Sequence, residues 1–136
     1  MAAIFPSEEW LKELETKLNA DKRYREIAKN WEGDLLFQIE PEGNLKERIT
    51  LYLDLRHGKC RKVDFNPQAS SHLKPAYTLT ASYNNLTDIL TGKINPMTAM
   101  MTKKLTVQGN MSYLMRNVPV VLDFVRVANE VTKEIL

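Results

Sequence analysis

Between Ile49 and Arg56 the chain alternates without a lapse, with Ile49, Leu51, Leu53 and Leu55 set against Thr50, Tyr52, Asp54 and Arg56. Hydrophobicity with a period of two marks a strand with one dry face and one wet face. Such a strand belongs to a sheet that needs covering on one side only. Leu35, Phe37 and Ile39 carry the same pattern up to Pro41, and Tyr77, Leu79 and Ala81 carry it against Thr78, Thr80 and Ser82. Cys60 to Phe65 returns from the turn residues His57-Gly58-Lys59, and a short strand is predicted over Leu105 to Gln108, closed by Gly109. The segment 66–75, with Pro67 and Pro75, reads as a loop.

The cover has to come from segments whose period is 3.6. Ser7 is a good helix cap, with Glu8 and Glu9 in the first turn and Trp10, Leu11, Leu14 and Leu18 on one face. Asp21 can cap a second helix whose apolar side is Tyr24, Ile27, Ala28 and Trp31. Asn85 with Asp88 has capping-box spacing, and Gly92 ends that short helix; Asn95-Pro96 starts the next. Asn110 caps a further short helix that Pro119 must break. The last helix is predicted from Val120 to Ile135, with Leu122, Val125 and Ile135 inward and Asp123, Arg126, Glu130 and Lys133 outward. Helices segregated to one side of a sheet make an α+β domain, and 136 residues make one such domain, 1–136.

Five of the six methionines, Met97, Met100, Met101, Met111 and Met115, fall between Leu86 and Asn117. Methionine is unbranched and polarizable, so it suits a core that must adapt its shape. Periodicity alone fits ordinary helices packed on a sheet. Short, separately capped helices can also leave a void that methionine walls adapt to apolar guests.

The residue types present exclude more chemistry than they offer. A net charge of +2 from dispersed basic residues argues against nucleic acid. The one cysteine, Cys60, fits a reducing compartment, and the N-terminus has neither a basic region nor an apolar core of a signal peptide. A soluble cytoplasmic protein is expected. His57 and His72 lack further ligands at metal spacing, and Cys60 between Lys59 and Arg61 reads as a strand residue rather than a low-pKa thiol. Asp54 and Asp64, on opposed strands, read as solvated charges. No catalytic, metal or cofactor site is expected, and the chain is not expected to be an enzyme.

The stretch LTGKINPMTAMMTKKLTVQGNMSYLMRN resembles the signature region of the sterol carrier protein 2 (SCP-2) domain family. Leu90, Gly92, Lys93 and Pro96 match its first segment, and Lys104, Leu105 and Gly109 match its strand. Trp31 with Gly33 and the alternating strand Ile49 to Leu55 also fit. The resemblance is to a stand-alone, prokaryotic-type member. It implies a five-stranded mixed or antiparallel sheet covered on one face by helices, with an internal hydrophobic tunnel. The implied function is non-catalytic binding or transfer of a fatty acid, fatty acyl-CoA, sterol or isoprenoid-like lipid. The alternative is an accessory module that presents an apolar substrate to an enzyme of lipid or quinone metabolism.

On that reading Ile49, Leu51, Leu53, Leu79, Leu105 and Val107 form the sheet wall of the tunnel. Ile89, Met97, Met100, Met101, Met111, Leu114, Met115 and Leu122 form the helical wall. Lys93, Lys103 and Lys104 are head-group candidates, and a short helix is expected to swing at Gly92 or Pro119. The chain departs from the family's peroxisomal members in lacking their C-terminal address, and it continues past Pro119 as an extra helix. That helix is expected to plug the tunnel, act as a lid, or form a surface for an enzyme partner or a homodimer. Transient membrane contact is also expected.

Overall fold

Each predicted alternation becomes a strand of one sheet. The computed structural model describes residues 4–68 and 73–136. The chain begins with β1 (Ile4–Phe5), α1 (Glu8–Ala20) and α2 (Lys22–Ile27). The strands β2 (Leu35–Glu40), β3 (Ile49–Arg56), β4 (Lys59–Phe65) and β5 (Tyr77–Ser82) follow. Then come α3 (Tyr83–Leu90), α4 (Pro96–Met101), β6 (Thr106–Gln108), α5 (Met111–Met115), α6 (Val118–Val131) and β7 (Glu134–Ile135).

The main sheet has the order β4-β3-β2-β5-β6. It is mixed: β2 and β5 run parallel, and the other neighbours run antiparallel. The registers Leu53↔Leu35↔Tyr77 and Leu51↔Phe37↔Leu79↔Val107 put one apolar row after another on a single face. The helices cover that face. The β3–β4 hairpin closes in two residues, His57 (φ 52°) and Gly58 (φ 77°), the left-handed pair that suits the twist of a tight hairpin. A second sheet pairs β1 with β7 in parallel.

Caps fall close to where the side chains demand them. The Ser7 hydroxyl accepts from the Trp10 N–H at 3.1 Å, and the Asp21 carboxylate accepts from the Tyr24 N–H at 2.9 Å. Trp10, Leu11, Leu14 and Leu18 are all buried, as their spacing predicts. The cap of α3 is Ser82, three residues earlier than the predicted Asn85, because the Ser82 hydroxyl accepts from the Asn85 N–H at 3.2 Å. Pro119 lies in the first turn of α6, where a missing N–H does no harm.

The phase of α6 differs from the predicted one. Val120, Asp123, Val127, Ala128 and Val131 are buried, whereas Leu122 is 40% exposed and Ile135 lies beyond the helix in β7. Asp123 points inward because Arg126 meets it there. The Arg126 guanidinium donates to Asp123 at 2.8 and 3.1 Å, to Asp21 at 2.8 Å and to Glu130 at 2.6 Å. Arg23 approaches Asp123 at 3.4 Å from the other side. A buried carboxylate held this way ties the start of α2 to the middle of α6.

This tie makes stability depend on pH. The Arg126 hydrogen bond, followed by that from the Tyr24 N–H, lowers the pKa of Asp21 below its ordinary 3.8. A group whose pKa falls on folding contributes fully above its unfolded value and loses that contribution as pH drops through the folded one. Urea unfolding between about pH 2 and pH 5 is therefore expected to show stability falling below about pH 4, and Asp21→Asn to flatten that fall. An unchanged slope in the variant would show that the carboxylate is not held in this way.

Candidate functional site

Between the sheet and the helices lies a cavity of about 100 Å³. The sheet contributes Phe37, Leu51, Leu53, Leu79 and Val107 among others. Across from them stand Leu86 and Ile89 of α3, Pro96 and Met100 of α4, Leu105 just before β6, and Leu114 of α5. Val120, Val121, Phe124, Val125 and Ala128 of α6 close the side. The rings of Phe37 and Phe124 face one another at 6.1 Å and 8°, so the sheet and α6 meet through an aromatic pair.

The wall offers a guest almost no hydrogen bond. Its polar side-chain groups belong to three aromatic residues, and each is engaged by the protein. The Trp10 indole donates to the Thr132 hydroxyl at 2.8 Å, and the Trp31 indole to the Gly33 carbonyl at 2.9 Å. The Tyr77 hydroxyl donates to the Asn110 carbonyl at 2.7 Å, and burial raises its pKa. A void with no free polar partner stays dry and accepts apolar guests.

One end of the cavity is closed by aromatic rings. Trp31 stacks on Tyr77 at 5.7 Å and meets Tyr113 of α5 at 5.2 Å. The Tyr113 hydroxyl accepts from the Glu32 N–H at 2.9 Å and donates to the Asn30 carbonyl at 3.3 Å. These contacts fasten α5 beside the starts of the parallel strands β2 and β5. The other end of the sheet carries α4 and the turn after it, where the Lys104 carbonyl accepts from Asn85.

This fold has close counterparts among known proteins. The model of the SCP-2 sterol transfer family matches residues 11–121. The chain belongs to that family. It is 31% identical over 112 residues to sterol carrier protein 2 of Gallus gallus, covering 82% of this chain and 19% of the relative. The chain thus spans about a fifth of the length of the curated relatives it matches. A crystal structure of sterol carrier protein 2 superposes with a TM-score of 0.82 at 27% identity, covering 93% of this chain and 98% of the other. A solution structure of a conserved hypothetical protein from Thermus thermophilus, described as possibly a sterol carrier protein, gives 0.80 at 26% identity, covering 93% and 88%.

In this SCP-2 domain the predicted site residues divide. Ile89, Met100, Val107 and Leu114 stand in the cavity wall, as do Leu51, Leu53, Leu79 and Leu105. Met97, Met101, Met111, Met115, Leu122 and Ile49 do not. Met101 is 83% exposed, and Met111, Met115 and Leu122 are exposed too. For the methionines the reason is a shift of one residue in helix phase. In α4 the buried stripe is Pro96, Ala99 and half-buried Met100, and in α5 the buried side chain is Leu114. Lys93, Lys103 and Lys104 are exposed and flank α4, at the far end of the sheet from α5.

The helix after Pro119 is a wall of the cavity rather than a detached plug. Its buried face lines the cavity and packs against α1, α2 and α3. Sequence reasoning passed over Phe124, Val121 and Ala128, whose signal was the 121-124-125-128 spacing, and the anchor Tyr113, whose signal was an aromatic in an Asn-capped turn.

Cys60, Asp54 and His57 are each held in contacts of the fold. Burial pushes the Cys60 thiol up to about 12, so it is no reactive thiolate. Asp54 is bound by Arg61 at 3.2 and 3.3 Å. His57 contacts the Glu32 carboxylate at 2.9 Å, while His72 lies outside the described residues. Among the described residues no group of three or more His, Cys, Asp and Glu is placed to hold a metal ion. No helix among them is long and apolar enough to cross a membrane.

Proposed function

We propose that this chain binds the hydrocarbon tail of a lipid in its cavity and carries it, leaving any charged head group at the surface. The observation that carries this reading is a dry wall whose polar atoms are already engaged by the protein. A further structure of the same fold, sterol carrier protein 2 of Aedes aegypti, was solved with palmitate. Burying a tail of about 14 methylenes yields on the order of 10 kcal/mol gross at ~0.8 kcal/mol each. Ordering and association remove part of that, which leaves affinities of about micromolar order.

A cavity of about 100 Å³ is too small for such a tail as it stands. An apolar void of about 150 Å³ takes a benzene. The tail therefore opens the space into a tunnel by moving side chains, and Met100, with three rotatable bonds, is the wall residue best suited to move. Apart from Pro96 and Ala128, the remaining wall residues are branched or aromatic and hold their shape.

The same wall makes a demand on the ligand. A hydroxyl in mid-chain would find no partner, and an unpaired polar group costs about 1–3 kcal/mol. Displacement of a fluorescent fatty acid is expected to rank stearate about 10- to 100-fold above 12-hydroxystearate. Equal displacement by the two would sink the reading, because it would put the tail in contact with water.

A second reading has one observation in its favour. The matched segment is about a fifth of the relatives' length, so in them this domain accompanies other parts of a longer protein. The chain would then present an apolar substrate to an enzyme of lipid or quinone metabolism. Pull-down with full-length bait separates the two: a stable enzyme partner supports presentation, and lipid exchange without one supports the free carrier.

A further inference from the structure

We propose that α5 is the door of the cavity and that the Tyr113 hydroxyl is its latch. The proposal rests on the lipid-binding reading and adds the route by which the tail enters and leaves. Of the helices around the cavity, α5 is the least anchored. It buries Leu114 alone, whereas α4 buries Pro96 and Ala99, α3 buries Tyr83, Ile89 and Leu90, and α6 buries five side chains. Elements with few buried groups open at the lowest free energy. Leu114 is also part of the cavity wall, so lifting α5 uncovers the cavity directly.

The chain has a joint on each side of α5. Before it, Gly109 holds φ at 148°, a conformation that glycine reaches without steric penalty. A Cβ there would meet the Tyr77 ring at 2.4 Å and the Ala76 carbonyl at 2.5 Å. After it, Asn117 caps α6 without a side-chain hydrogen bond to that helix; its amide instead donates back to the Tyr113 carbonyl at 2.7 Å.

Two fastenings keep the door shut. The Tyr77 hydroxyl grips the Asn110 carbonyl at the hinge, and its ring lies in the cavity wall. The Tyr113 hydroxyl grips the far side, bridging the Glu32 N–H and the Asn30 carbonyl. That second pair is solvent-exposed, so water can take over both bonds as α5 lifts, and the Tyr113 ring then slides off Trp31. Entry here puts the head group at the opposite end of the sheet from Lys93, Lys103 and Lys104.

The test removes the latch and keeps the ring. In Tyr113→Phe, release of a pyrene-labelled fatty acid is expected to accelerate about tenfold, the equivalent of about 1.4 kcal/mol, with entry accelerated alike and affinity nearly unchanged. In the ligand-free chain, amide exchange in α5 is expected to quicken by a similar factor while α1 and the sheet keep their protection. Thr98→Gly, which loosens α4 through its backbone, is expected to leave release as it is. Release unchanged in Tyr113→Phe, or quickened by Thr98→Gly instead, overturns the assignment of the door. If the unaltered chain binds no probe, the carrier reading falls, and amide exchange still decides whether α5 opens first.

Discussion

Met100→Trp is expected to abolish measurable binding of a fluorescent fatty acid while the fold stands. Met100 is half-buried on α4, lines the cavity and packs against both hydrophobic clusters of the core. An indole in its place occupies the space that the tail would use. Overfilling a packed core costs about 1–3 kcal/mol, and here part of the added volume enters a void that already exists. The loss of affinity is expected to exceed tenfold, or about 1.4 kcal/mol, with the far-ultraviolet circular dichroism unchanged and Tm within about 10 °C. Unchanged affinity in a folded variant would place the ligand elsewhere.

The largest effect on stability is expected from Arg126→Met. This change leaves the Asp123 carboxylate, whose side chain is 3% exposed, with only the mostly exposed Arg23 at 3.4 Å. Removing one partner of a buried ion pair costs about 3–5 kcal/mol, because the other charge stays desolvated. Arg126 is itself partly exposed, so a loss of about 3 kcal/mol is expected, with a fall in Tm on the order of 10 °C. Asp123→Leu combined with Arg126→Met is expected to recover much of this, since an apolar pair needs no compensation. Urea unfolding measures both. A single variant as stable as the parent would mean that Asp123 reaches water by another route.

Much of the sheet was legible in the sequence. The alternation of Ile49 to Arg56 gave β3 its register of faces, and the same signal located β2 and β5. The parallel pairing of β2 with β5 was not legible, because alternation says which face is dry and nothing about which strand lies alongside. The sheet wall of the cavity followed from the alternation too, with Leu51, Leu53, Leu79 and Val107 where their faces predicted.

The helical wall was legible only in part, for a physical reason. A helix of five or six residues makes barely more than one turn, so two candidate stripes one residue apart fit equally well. Met97, Met100 and Met101 suggested one stripe; small Ala99, 0% exposed, belongs to the other. Methionine's conspicuousness drew attention to residues that mostly face solvent. In α6 a buried aspartate reversed the polarity signal, and only the partners of Arg126 explain it. Tyr113 was hidden because its anchors, Asn30 and Glu32, lie some eighty residues away along the chain.

The central claim, a lipid tail inside this cavity, is most directly tested by nuclear Overhauser contacts between a bound fatty acid and the methyl groups of the labelled protein. The terminal methyl of the ligand is expected to show contacts to Met100, Leu79 and Val125 in the wall. Contacts confined to the exposed Met111, Met115 and Leu122, with the wall methyls silent, would contradict it.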